Sequence, residues 1–125
     1  MTTLRVGIAS YDDMKARTMA VARGERRIGR NEPKVWFTST ESFARILSDG
    51  NRKLLAIIAE KTPGSLDELA AITGRAKSNL SRTLKTMEGY GLVRLTRGER
   101  GRIAPRVTHD RVELNLSLKR PRKAG

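Results

Sequence analysis

Residues 75 to 87 combine two chemically different faces at helical spacing. One face carries hydrogen-bond donors of the kind that reach phosphates and base edges. Its members are Arg75, Lys77, Ser78, Asn79, Ser81, Arg82 and Lys85. The other face carries Leu80, Leu84 and Met87, which are spaced by four and three residues and so lie on one side of a helix. This pattern predicts a nucleic-acid-binding helix; the alternative is an amphipathic helix whose charged face is only solvated.

A second short helix is predicted immediately before the basic one. Ser65 and Glu68 have the spacing of a capping box, which satisfies two backbone amides at a helix start. The apolar positions that follow predict one buried stripe, formed by Leu66, Leu69, Ala70 and Ile72. Gly74 then supplies the residue that tolerates positive φ at a helix end, and Gly89 and Gly91 end the second helix. Two short helices around a tight turn are typical of a helix-turn-helix.

Arginines concentrate in the segment after the basic helix. Residues 92–96 and 103–108 are predicted to form two strands joined by a glycine-containing turn at 97–102. Three arginines lie in that turn, namely Arg97, Arg100 and Arg102. A solvated hairpin is the alternative, but after a helix-turn-helix we expect these side chains to contact phosphates or a minor groove.

The run of residues 78–93, SNLSRTLKTMEGYGLV, resembles the recognition helix and exit of MarR-like winged-helix regulators. That family's pattern is roughly S-x-hydrophobic-S-R-x-L-K-x-hydrophobic-E-x-x-G-hydrophobic-hydrophobic, and each element is present. The similarity covers about residues 51–108. Arg75 and Ala76 depart from it, because an apolar turn residue and a Ser or Thr cap are usual at those places.

The resemblance implies a winged helix-turn-helix that binds double-stranded DNA. It also implies an alternative role. Similar small members with an extra N-terminal segment are often encoded beside a small toxin, which they neutralise while they repress their own operon.

The first fifty residues are predicted to form an extension of strand, helix, loop, strand and helix. The strands are expected at 4–8 and 34–38 and the helices at about 12–23 and 39–48. The basic loop at 24–33 is either mobile or an arm that contacts DNA. The tryptophan and both phenylalanines lie in this extension. It therefore either enlarges the core or offers a surface to a second copy or a partner protein.

The remaining boundaries follow from breakers and caps. Asp49 and Gly50 are predicted to end the extension, with Asn51 capping the next helix. The resulting division is an N-terminal extension at 1–50, a winged helix-turn-helix at 51–108, a C-terminal strand at 109–118 and a disordered basic tail at 119–125.

The C-terminal strand shows a clear alternation. Its apolar positions are Val112, Leu114, Leu116 and Leu118. Such a strand needs a partner edge, and the sequence offers three: the strand at 4–8, the strand at 34–38, or its own copy in another subunit.

Composition favours a polyanionic partner. The chain has 125 residues with 26 lysines and arginines against 13 acidic residues, a net charge of +13. Residues 94–125 contribute +7 of this, from ten basic and three acidic residues. The second DNA-facing element is therefore expected after the basic helix.

Several chemistries are not expected. The sequence has no cysteine, which removes disulfide, thiolate and cysteine–metal chemistry, and the single histidine, His109, completes no catalytic triad. We predict no enzyme, no cofactor and no metal site. No secretory signal or long apolar run is evident, so a cytoplasmic protein without a membrane partner is expected.

The sequence thus predicts an α+β, mainly α, fold: a winged helix-turn-helix with an extra N-terminal strand and helix segment and a C-terminal strand. The predicted function is a sequence-specific transcriptional regulator, a repressor that binds an inverted repeat as a homodimer. The antitoxin with a small toxin partner is the first alternative, and a non-specific architectural nucleic-acid-binding protein is the second.

Overall fold

Cap residues and alternating apolar positions divide the described part of the chain into five α-helices and five β-strands, an α+β fold as predicted. The computed structural model describes residues 2–25, 29 and 32–118. The tail predicted at 119–125 and the middle of the loop predicted at 24–33 lie outside these residues. In chain order the elements are β1 (Thr3–Ile8), α1 (Tyr11–Ala22), β2 (Val35–Phe37), α2 (Thr40–Ile46), α3 (Asp49–Lys61), α4 (Leu66–Thr73), α5 (Lys77–Gly89), β3 (Val93–Arg97), β4 (Ile103–Val107) and β5 (Arg111–Asn115).

The N-terminal and C-terminal strands form one parallel sheet in the order β2-β1-β5. Leu4 is aligned with Val112, and Val6 is aligned with Val35 on one side and Leu114 on the other. Both Leu4 and Val6 are buried, because β1 is central and its apolar face lies on the core. Of the three partners open to the C-terminal strand, the structure therefore selects the strand at the start of the chain.

The C-terminal strand is shorter than predicted. The sequence indicated a strand over 109–118, but β5 ends at Asn115, which is aligned with Gly7. The neighbouring strand β1 ends at Ile8, and Ser10 caps α1, so β1 offers no longer edge for β5 to pair with. Leu116 and Leu118 follow the strand as exposed residues.

One hydrophobic core joins the N-terminal extension to the rest of the chain. Phe37 of β2 is 1% exposed and stacks on Tyr90 with ring centroids 4.3 Å apart and an interplanar angle of 11°. The rings of Phe37 and of Phe43 in α2 are perpendicular, with their centroids 5.3 Å apart. The extension enlarges the core, as one of the two interpretations had it.

Two predicted caps are wrong by a few residues. Ser48, not Asn51, caps α3: its Oγ accepts a hydrogen bond from the Asn51 backbone N–H at 3.3 Å. The Asn51 amide instead donates to the Ile46 carbonyl at 3.1 Å, which ties the end of α2 to the start of α3. Asp49 and Gly50 therefore form the first turn of α3 rather than a break, and the predicted boundary at residue 50 falls within this helix. Similarly, Thr38 and Glu41 have the spacing of a capping box in the sequence, but Ser39 caps α2.

The sequence predicts an apolar side for α1, formed by Tyr11, Met14, Thr18 and Val21, but this side is not buried. None of its residues is buried, and Tyr11 is 70% exposed. Arg17 of α1 makes polar contacts near β2 instead. Its guanidinium lies 5.0 Å from the Trp36 ring centroid and pairs with Glu32. The spacing of apolar residues was too sparse to bury a face, and a cation–π contact takes its place.

Gly7 allows the close approach of Trp36 to the sheet. A Cβ atom at Gly7 would lie 2.5 Å from Cζ3 of Trp36 and 3.0 Å from Cγ of Pro33. No such group fits without moving the indole ring, so the absence of a side chain here is a packing requirement.

We expect Gly7→Ala to lower the free energy of unfolding by ~1–3 kcal/mol, the usual cost of overpacking. The matched control is Gly50→Ala in α3, where a Cβ would meet nothing within 4 Å. That change should be neutral or slightly stabilising, since alanine favours a helix. Urea unfolding of both variants measures the difference. Equal stabilities would show that Trp36 moves at no cost.

Candidate nucleic-acid interface

Helix α4 is held by the capping residues that the sequence indicated. Oγ of Ser65 accepts from the Glu68 backbone N–H at 3.1 Å, and Oε2 of Glu68 accepts from the Gly64 N–H at 2.8 Å. Leu66 and Leu69 of this helix are buried. Ile72 was predicted to join them but is 42% exposed, because it lies at the end of a helix of only eight residues.

The turn between α4 and α5 spans Gly74 to Ala76. Gly74 has φ 74° and its N–H donates to the Ala70 carbonyl at 2.8 Å, so glycine is favoured for conformational reasons. Oγ1 of Thr73 donates to the Leu69 carbonyl at 2.9 Å and accepts from the Arg75 N–H at 3.2 Å. Sequence reasoning missed this role of Thr73, since a helix-terminal threonine gives no distinctive spacing signal.

Helix α5 is anchored through one face only. Leu80, Leu84 and Met87 are each 0% exposed and lie in the same core cluster as the buried residues of α3 and α4. The predicted donors are on the remaining surface, where Lys77, Ser78, Asn79, Arg82 and Lys85 are exposed while Arg75 and Ser81 are half-buried.

Some of these donors already have partners within the protein. Nε and Nη2 of Arg75 both donate to Oδ1 of Asn79, at 3.2 and 2.9 Å. Nζ of Lys77 lies 3.1 Å from Oδ1 of Asp67 on α4. Asp67 was not among the predicted site residues, because a contact between residues of different helices leaves no periodic pattern.

Strands β3 and β4 form the predicted antiparallel hairpin. The register runs from Val93 opposite Val107 to Arg97 opposite Ile103. A short 3-10 turn over 99–101 connects the strands, and Arg100 within it has φ 59°. The three predicted arginines, Arg97, Arg100 and Arg102, are all exposed.

The hairpin is tied to the helices by two side chains. Nη1 of Arg106 donates to the Pro63 carbonyl at 2.7 Å, in the segment between α3 and α4. Oε2 of Glu88, near the end of α5, accepts from the Leu95 N–H at 3.1 Å. Arg106 therefore differs from the tip arginines: it is half-buried and already bonded.

The predicted cationic site residues thus fall into two sets, those that are bonded within the protein and those that are not. Of the seven predicted cationic site residues, two are bonded within the described part of the chain, and five have a guanidinium or ammonium group in no hydrogen bond or ion pair there: Arg82, Lys85, Arg97, Arg100 and Arg102. Nor does any such bond join the hairpin tip to α5.

A cavity of the protein lies away from these basic side chains. A cavity of about 1050 Å³ is lined by α2, α3, β4 and β5, with Leu47, Leu55 and Val112 among its apolar walls. Its lining includes no residue of α5 and none of the three tip arginines. Among the described residues there is no cluster of three or more metal-binding side chains, and no helix is long and apolar enough to cross a membrane.

Fold and surface together define an α+β protein. Its helices α4 and α5 each bury one face, and α5 and the β3–β4 hairpin expose basic side chains. A family model described as HVO_A0114 matches residues 46–114, more than half of the chain, from the end of α2 into β5. The chain belongs to the HVO_A0114 family. No curated protein and no solved structure matches it.

Bonded and free arginines should respond differently to truncation. Arg106→Ala leaves the Pro63 carbonyl without its donor, so we expect the free energy of unfolding to fall by ~1–2 kcal/mol. Arg102→Ala removes an exposed, unbonded side chain from the same hairpin and should leave it unchanged within error. Chemical denaturation measures both. A larger loss for Arg102 would contradict this division.

Proposed function

We propose that the protein is a sequence-specific DNA-binding transcriptional regulator. In this proposal α3, α4, α5 and the β3–β4 hairpin act as a winged helix-turn-helix of MarR-like type, and a homodimer represses by binding an inverted repeat. The observation that carries the proposal is the one-sided burial of α5. All its apolar anchors face the core, so the predicted donors lie on its other surface, where the side chains of Ser78, Arg82 and Lys85 are exposed and have no partner among the described residues.

Electrostatics supports a polyanionic ligand. The net charge is +13, and Arg82 and Lys85 of α5 and the three arginines of the hairpin tip have no internal partner within the described residues. Lysines and arginines that neutralise phosphates release condensed counterions, which supplies affinity without requiring a concave pocket. The exposed position of these groups suits a duplex better than a small molecule, which binds preferentially in cavities.

The start of α5 supports a contact with a phosphate or a base edge. Its cap residue, Ala76, makes no side-chain hydrogen bond to the first-turn amides. In contrast, α2, α3 and α4 are each capped by a serine side chain. An uncapped helix start leaves backbone donors and the positive end of the helix dipole available to an anion.

The backbone conformation at the hairpin tip also supports a functional role for its arginines. Arg100 adopts φ 59° and ψ 27°, a left-handed conformation that costs a non-glycine residue about 1 kcal/mol. A neighbouring residue of the same turn, Gly101, accepts such a conformation freely. Disfavoured backbone conformations of this kind cluster at functional sites, which supports a role for the Arg100 side chain.

The proposal assigns different roles to the helix and the hairpin tip. Arg82 lies on the exposed face of α5, the element that enters a major groove, so Arg82→Ala should relax preference at one or two base positions. Arg100→Ala and Arg102→Ala should weaken binding to all sequences more evenly, and each should lower the salt slope by about one. Selection from random double-stranded DNA first identifies a preferred site. Titrations against that site and its single-substituted versions, at several salt concentrations, then measure base preference and salt slope.

The same titrations can contradict the proposal. If the tip variants change base preference while Arg82→Ala changes only the salt slope, the two roles are reversed. A specific regulator should prefer its site over random DNA by about three orders of magnitude or more. Uniform binding to all duplexes would instead favour the architectural alternative.

Dimerisation is proposed at the outer edge of β5. This strand is paired with β1 on one side only, and its outer edge has no partner strand among the described residues. Leu114 and Leu116 are 36% and 49% exposed next to that edge. An open edge with apolar side chains is a pairing surface, and a two-fold dimer is what an inverted repeat requires.

Charged substitutions at this edge test the dimer. Leu114→Asp and Leu116→Asp should shift sedimentation from dimer to monomer and weaken binding to the inverted repeat. Leu118→Asp is the matched control, since Leu118 is 95% exposed beyond the strand and should have little effect.

Two other outcomes would change the assignment. A wild-type protein that sediments as a monomer both free and on its selected site would exclude the dimer. Retention of a co-expressed product of the neighbouring reading frame by the wild type, with loss in Leu114→Asp, would favour the antitoxin role at this edge.

A further inference from the structure

Arg75 and Asn79 form a preassembled pair at the start of α5. The Asn79 side-chain oxygen accepts from Nε of Arg75 at 3.2 Å and from Nη2 at 2.9 Å. The main chain of Arg75 is fixed as well, because its N–H donates to Oγ1 of Thr73. The guanidinium has no carboxylate partner in the described part of the chain, so its charge is not neutralised.

The pairing changes what Asn79 can recognise. An asparagine reads adenine by accepting from the base N6 amino group through Oδ1 while its amide donates to N7. In this structure both lone pairs of Oδ1 are used by Arg75, which leaves Asn79 as a donor only. A bidentate contact between Asn79 and adenine would therefore require this pair to open.

The same pairing presents Arg75 in a defined way. A guanidinium has five N–H groups, and the two that point to Asn79 belong to Nε and Nη2. The remaining N–H groups, on Nη1 and Nη2, form the end of the fork. Two adjacent donors match the O6 and N7 acceptors that guanine shows in the major groove.

We infer that Arg75 is a specificity-determining residue that reads guanine, and that Asn79 is a positioning residue that holds it. The inference rests on the proposed function and adds the base and the side chain that recognises it. The assignment is specific to this chain, because Arg75 departs from the MarR-like pattern that the helix otherwise resembles.

The test begins with selection of sites from random double-stranded DNA by the full-length protein. Labelled duplexes carrying the selected site, and versions with each base pair replaced in turn, are then titrated with wild type, Arg75→Lys, Arg75→Gln and Asn79→Ala. Ser78→Ala is the control, because Ser78 is an exposed first-turn residue outside the pair. Thermal melting followed by circular dichroism verifies that each variant is folded.

For the wild type we expect one guanine per half-site whose replacement weakens binding by about 5- to 100-fold, the range of one good bidentate pair. Both Arg75 variants should lose discrimination at that position alone, because lysine keeps the charge but not the fork. Asn79→Ala should keep guanine as the preferred base there with smaller discrimination. Ser78→Ala should leave that position unchanged.

Two results would overturn the inference while leaving the proposed function intact. In one, the Arg75 variants weaken all sequences evenly and lower the salt slope by about one, so that Arg75 contacts a phosphate. In the other, Asn79→Ala abolishes an adenine preference, so that Asn79 reads a base directly. A wild-type selection that yields no preferred sequence would overturn the proposed function and this inference with it.

Discussion

The burial of Leu80, Leu84 and Met87 is the constraint on which the rest of the structure depends. Each side chain is 0% exposed, and burying one such side chain contributes about 1.5–3 kcal/mol. Their spacing by four and three residues fixes the rotation of α5 about its own axis. The contacts of these three apolar side chains therefore turn the opposite side of the helix, which carries Lys77, Arg82 and Lys85, toward the surface.

The N-terminal extension supports this helix from its far end. Tyr90 follows α5 directly, and Phe37 stacks on it from β2. The strand that carries Phe37 is paired with β1, which is paired in turn with β5. The sheet, α5 and the hairpin consequently share one core, so a change at either end of the chain acts on the position of the basic helix.

Local signals could be predicted from the sequence, whereas long-range choices could not. The Ser65 cap and the Gly74 turn were predicted correctly because each depends on the backbone of one helix end. Ser48 and Asn51 are both acceptable caps, and the choice between them depends on the bond from Asn51 to the end of α2. The partner of β5 lies about one hundred residues away in the chain, and no local pattern specifies it.

The candidate site shows the same limit in a sharper form. Residue type and spacing identified the donors of α5 and of the hairpin tip, but no local pattern could show that Arg106 of the same hairpin is bonded to the Pro63 carbonyl. Arg94 lies opposite Arg106 across the two strands, and like charges in that relation lower stability. The bond to Pro63 holds one of these charges in place, while the tip arginines have no such bond. Under the proposed function, a polyanion bound to the hairpin would offset this repulsion between the two guanidinium groups.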